Sequence, residues 1–144
     1  MIYSPNDVFC SSLSVTATGN ATDVKDMGGD FDKGPGGQVK GVIIVIETAA
    51  DYTSTNETYA FSLVTDDNTG LSSATTLSTT GTLNGNVVTA GTKYFLPLPN
   101  TNERYIGVTH TLGGTTPSVT YSAYYGTADE VYTGGVIYSS GLTY

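Results

Sequence analysis

"VKGVIIVIETA", residues 39–49, decides the fold. Its centre, Val42 to Ile46, is apolar at every position. Such a run suits a central strand covered on both sides, because a half-solvated strand alternates apolar with polar. Nothing around it restores a helical period. The neighbouring apolar residues come in short runs separated by Gly, Asn, Asp and Pro, which is the all-β pattern.

On the N-terminal side, LSVTAT (13–18) alternates and ends at Gly19-Asn20. TDVKDM (22–27) follows, then the Gly-rich stretch GGDFDKGPGGQ (28–38). On the C-terminal side, TYAFSLVT (58–65) puts Tyr59, Phe61 and Leu63 on one face. ATTLSTTG (74–81) and TLNGNVV (82–88) read as short strands or strand ends. KYFLPL (93–98) is a strand whose Pro97 favours an edge or a bulge. ERYIGVTHT (103–111) aligns Ile106, Val108 and His110, and SVTYSAYYG (118–126) aligns Val119, Tyr121, Ala123 and Tyr125. The total is about eight short strands, a spacing typical of a sandwich or barrel.

The two ends differ from this frame. Residues 1–12 and 128–144 lack alternation yet carry Ile2, Tyr3, Val8, Phe9, Val131, Tyr132, Ile137, Tyr138 and Tyr144. A solvated tail is poorer in apolar and aromatic residues. Either the ends pack on their own domain, or they reach a neighbouring chain. The expected organisation is an N-terminal arm (1–12), a β-sandwich domain (13–127) and a C-terminal arm (128–144). Ile2, Tyr3, Phe9, Tyr132, Ile137, Tyr138 and Tyr144 are the expected contact residues. Gly134, Gly135 and Gly141 would keep the last arm adaptable.

A chain of 144 residues suits one domain with a core of its own. One cysteine, Cys10, allows no intrachain disulfide, which fits a reducing cytosol. The N-terminus shows no basic segment followed by an apolar run, so no secretion signal is expected. The sequons at Asn20 and Asn56 then read as coincidences. Five Lys and Arg against 13 Asp and Glu give a formal net charge of −8. The cations Lys25, Lys33, Lys40, Lys93 and Arg104 are scattered singly. Phosphate backbones and anionic membranes need clustered cations, so neither is an expected partner. Only 12% of residues are charged, with Thr, Gly and Ser in their place. Interface cores are depleted of charge, so this surface suits life against neighbours.

Four sets of residues could carry chemistry. Asp66-Asp67-Asn68 in TDDNTGLSSATTL (65–77) offers oxygens to a hard cation, but lacks the spacing of an EF-hand loop. Asp and Asn bonding their own backbone, with Gly70 at a positive φ, make a turn instead. Asp26, Asp30 and Asp32 lie in a Gly-rich stretch that lacks a phosphate-cradle motif. His110 is the sole histidine, without the partners of a zinc site or the elbow of a serine hydrolase. Nothing local marks a Cys10–His110 pair as nucleophile and base. A carboxylate pair for glycoside hydrolysis has no pointer among Glu47, Glu57, Glu103 and the aspartates. No catalytic, cofactor-binding or metal residues are therefore expected, and no enzyme. Eleven tyrosines without tryptophan suit core and interface positions better than sugar stacking.

The order SVTAT, DMGGDFDKGPGGQ, VKGVIIVIETA, YAFSLVTDDNTGLSSATTL, TAGTKYFLPLPNTNERYIGVTHTLGG and SVTYSAYYG resembles the capsid cement, or decoration, proteins of tailed bacteriophages, of the type met in a short-tailed Bordetella phage. The resemblance runs from about Leu13 to Gly126 and carries no catalytic residues. It implies a jelly-roll-like antiparallel sandwich on the outer surface of the virion, assembled in the host cytoplasm. It implies two partners: the major capsid protein, and the chain itself as a homodimer or homotrimer. A carbohydrate-binding or adhesin-like module using exposed tyrosines is the alternative, and a small sandwich hydrolase the third choice.

Overall fold

A computed structural model describes residues 7–28 and 40–127. Ten strands form two sheets, and the apolar run at residues 42–46 lies in β4 (Lys40–Thr48). The first sheet also contains β1 (Val8–Val15), β10 (Val119–Thr127) and β8 (Lys93–Pro97), in the spatial order β1-β10-β4-β8. The second contains β2 (Gly19–Asn20), β3 (Lys25–Asp26), β5 (Thr58–Asp66), β6 (Thr75–Thr79), β7 (Leu83–Asn84) and β9 (Tyr105–Gly113). Its spatial order is β2-β9-β5-β6, with β3 also on β9 and β7 also on β5. All pairings are antiparallel.

The short strands resolve the strand count. β2 and β3 pair successive parts of β9, so they act as one interrupted strand, and β6 and β7 do the same on β5. Counted so, eight strands make two four-strand sheets, and successive strands change sheet except at the β5–β6 hairpin. First and last strands are neighbours, as are second and second-last. This nesting is the double Greek key of a jelly roll.

The inward faces follow the period of two. Tyr59, Phe61 and Leu63 of β5 and Ile106, Val108 and His110 of β9 are buried. They meet Val42, Ile44 and Ile46 of β4 and Val119, Tyr121 and Ala123 of β10. Phe61 packs edge-on against Tyr121, ring centroids 4.9 Å apart. At each side of the sandwich a hydrogen bond joins the sheets. The Ser78 hydroxyl donates to Pro97 O (2.9 Å), and Asp23 N–H donates to Phe9 O (2.9 Å). Pro97 lies on β8, an edge strand, as its missing N–H requires.

The N-terminal boundary needs correction. The sandwich starts at Val8, inside the stretch predicted to be an arm, and Phe9 is core rather than contact. Both Phe9 and Cys10 point inward, which a regular strand forbids for consecutive residues. The β1–β10 register shifts between Val8 and Cys10 and again between Cys10 and Leu13. Ser12, at φ 49°, takes up the second irregularity, and its N–H donates to Ser122 Oγ at 2.8 Å.

Candidate functional site

The acidic stretch after β5 is built as a turn around a buried carboxylate. Asp66 is 1% exposed. Its Oδ1 accepts Asp67 N–H (2.7 Å), Ser73 Oγ (3.1 Å) and Asn68 Nδ2 (3.3 Å), and Oδ2 accepts Ser73 N–H (2.9 Å). The Ser73 N–H bond holds the carboxyl below the usual aspartate range, against the opposing effect of burial. Asn68 Oδ1 accepts Gly70 N–H at 3.0 Å, the self-bonding turn expected of Asn. The carboxylate's lone pairs thus go to protein donors. Among the described residues no three His, Cys, Asp or Glu side chains cluster as metal ligands. Asp30 and Asp32 lie outside the described residues.

This turn folds back over the outer face of the second sheet. Leu71 sits at φ 52° and is 9% exposed. It covers Gly107 of β9, together with Val24. Between this turn and the β2–β3 connection runs a groove of about 450 Å³, lined by Asn20, Thr22, Asp23, Val24, Thr69 and Leu71 among others. No aromatic residue lines it.

His110 and Cys10 both touch Tyr121. The Tyr121 hydroxyl lies 2.8 Å from His110 Nδ1, and Cys10 Sγ points to Tyr121 O at 3.7 Å. Burial lowers the His110 pKa, with a backbone bond to Ala17 pulling the other way. Burial pushes the Cys10 thiol up to about 11 and raises the Tyr121 phenol as well. A neutral imidazole, a protonated thiol and a protonated phenol form a polar seam in the core. Burial thus disfavours the thiolate that nucleophilic chemistry needs.

The outer face of the first sheet carries a different pattern. Ile43 is 1% exposed yet stands apart from the core cluster. It is paired with Tyr124 on one side and Phe95 on the other, and Tyr124 is paired with Val8. One apolar residue from each of the four strands therefore forms a single row across the sheet, with Val8, Tyr124 and Phe95 half-buried. The next row is Gly126, Gly41 and Pro97. A Cβ on Gly41 would lie 2.1 Å from Leu96 O, so the strand pair closes only with glycine there. On the other flank, Val45 stands between Ser122 and Lys93.

Of the expected contact residues, Ile2, Tyr3, Tyr132, Ile137, Tyr138 and Tyr144 lie outside the described residues. Phe9 is withdrawn from that set by its burial. The described tyrosines are all buried or half-buried: Tyr59 and Tyr121 are core, and Tyr94 and Tyr125 pack on it. The row through Ile43 escaped sequence reading. Its signal was the unbroken apolar run itself, since Ile43 needed cover that the core could not provide.

A protein-family model, Bbp16, matches residues 9–125, from β1 into β10. No curated protein matches the chain.

Proposed function

We propose a function from one premise: the chain belongs to the Bbp16 family, a Bordetella-phage protein family. We infer that it is a capsid cement protein. It binds the outer surface of the assembled phage head, contacts the major capsid protein and bridges neighbouring capsomers. It also associates with itself as a homodimer or homotrimer. The shell is thereby stabilised against internal DNA pressure.

The observation that carries this reading is the extent of the family match, which reaches all ten strands of the sandwich, from within β1 into β10. The architecture fits: jelly rolls recur in viral shells, although fold alone does not decide function. The ionisable candidates His110, Cys10 and Asp66 are occupied in holding the fold, as their hydrogen bonds show. On the outer face of the first sheet the half-buried Phe95 and Val45, on neighbouring rows, supply apolar area for contact with a shell. Low charge reduces the desolvation cost of such contacts. A contact that exists only on the assembled lattice stabilises that lattice by linkage. Each contact can be weak, because a bridging protein makes its second contact at high effective concentration.

The test is co-sedimentation of the purified protein with expanded, undecorated heads of its phage, alongside light scattering of the protein alone. Saturable binding and heads that resist heating are expected, and the scattering mass gives the building block. Failure to bind intact heads, with capture on a glycan array, would replace this reading by the carbohydrate-binding module.

A further inference from the structure

At one end of the sandwich the β4–β5 connection meets the β9–β10 connection, and a buried carboxylate lies between them. Glu57 is 0% exposed. Its Oε1 accepts Ser54 N–H and Thr116 Oγ1–H, each at 3.2 Å, while Oε2 has no hydrogen-bond partner among the described residues. The Thr116 hydroxyl also lies 3.4 Å from Asp51 Oδ2. One hydroxyl proton thus faces two carboxylates. Asp51 Oδ1 is occupied by Thr53 N–H at 2.9 Å, which fixes the other oxygen toward Thr116. The ion pairs among the described residues, Lys25–Asp7 and Arg104–Asp26, lie elsewhere.

The surroundings hold this arrangement tightly. Gly114 is at φ +98°, and a Cβ there would lie 2.6 Å from Glu57 Cα. Asn56 exchanges two side-chain bonds with Thr115, at 2.9 and 3.1 Å. The Tyr59 hydroxyl donates to Asp51 O at 2.7 Å, and Ser118 N–H donates to the Tyr59 oxygen at 3.1 Å. A buried carboxylate oxygen without a donor or counter-charge is costly, and it marks a missing partner.

We propose that Glu57, Asp51 and Thr116 form a binding site for a hard divalent cation of the calcium type. The donors are all oxygens, which suits hard cations and disfavours soft ones. Glu57 can bind through both oxygens, Asp51 through Oδ2 and Thr116 through its hydroxyl, with water completing the shell. Calcium tolerates such irregular sets, whereas magnesium demands a near-ideal octahedron. Burial opposes ionisation of Glu57, but bonds from its own N–H, Ser54 and Thr116 outweigh it and keep the carboxyl below its ordinary range. The charge is therefore present at neutral pH. The bound ion would tie the two connections together, independently of what the sheet faces contact.

The experiment uses the full chain, freed of metal with EDTA. Tb³⁺ is titrated while the tyrosines are excited, Tyr59 and Tyr52 being close enough to sensitise it. Thermal unfolding is followed with and without Ca²⁺. Expected are saturable luminescence displaced by Ca²⁺, and a Tm rise of about 5–10 °C at roughly 100 times the Kd. Glu57→Gln and Asp51→Asn should each weaken binding at least about tenfold, the loss of one charged ligand. Should Glu57→Gln fail to fold, the half-buried Asp51 still gives a folded variant. Absent luminescence and an unmoved Tm in the native chain would overturn the site. So would luminescence that Asp51→Asn leaves unchanged.

Discussion

Leu71 occupies the space that a side chain on Gly107 would need: a Cβ there would lie 2.6 Å from Leu71 Cδ1 and 3.3 Å from Val24 Cγ1. The turn after β5 thus closes onto β9 through one apolar contact, and Leu71 adopts φ 52° to make it. Gly107→Ala should push Leu71 off the sheet and cost about 1–3 kcal/mol, the range for overpacking. Leu71→Ala should cost less in the Gly107→Ala background than in the native one. A double-mutant cycle by urea denaturation measures this coupling, and additive costs would deny the contact.

Phe9 supplies the second prediction. It is 1% exposed within the core cluster, so Phe9→Ala should cost about 3–5 kcal/mol. Thermal unfolding checks this. A Tm unchanged by Phe9→Ala would return Phe9 to the role of contact residue.

The same residue shows what the sequence could and could not yield. The inward sets of β5, β9 and β10 were legible because Tyr59, Phe61 and Leu63, and their counterparts, keep a strict period of two. β4 was legible as a central strand from its unbroken apolar run. β1 was misread because VFCSSLSV carries two register shifts, which place Phe9 and Cys10 inward together. Bulges erase the alternation that sequence reading depends on. The turn at Asp66 was legible from its Asn, whose Oδ1 accepts Gly70 N–H, but the positive φ expected at Gly70 is taken by Leu71 instead. The carboxylate pair at Asp51 and Glu57 was not, since Thr116 joins it from 59 positions beyond Glu57.

Stability should fall in two steps on acidification. His110 has a folded pKa below the ordinary 6.5. Below pH 6.5 the unfolded chain therefore takes up a proton that the folded one resists, and stability declines from there. Asp66 also has a depressed folded pKa, so its contribution is present above its ordinary 3.8 and is lost as pH falls through the folded value. Urea denaturation from pH 7.5 to 3 checks both. His110→Gln should flatten the first step and Asp66→Asn should shrink the second, to which the likewise lowered Asp51 and Glu57 also contribute, with Asp66→Asn also lowering Tm at pH 7. A first step that His110→Gln leaves intact would assign it to another group.

The cement reading makes separate demands on the sheet face and on the C-terminal residues. Phe95 and Val45 are half-buried and lie away from the core cluster, so Val45→Lys with Phe95→Lys should leave the inner core packed, at the cost of the apolar row that Phe95 forms with Ile43. Head binding should drop sharply, because two charges would then face an apolar contact and be desolvated without partners. Removal of residues 128–144 starts just past β10, which ends at Thr127, so every described strand remains. That truncation should leave cooperative unfolding in place while weakening head binding or self-association. Sedimentation with heads and light scattering read the two effects apart. If the lysine variant binds heads as the native chain does, the first sheet's outer face is not the docking surface. If the truncated chain keeps both native head binding and native mass, the C-terminal residues are not contacts.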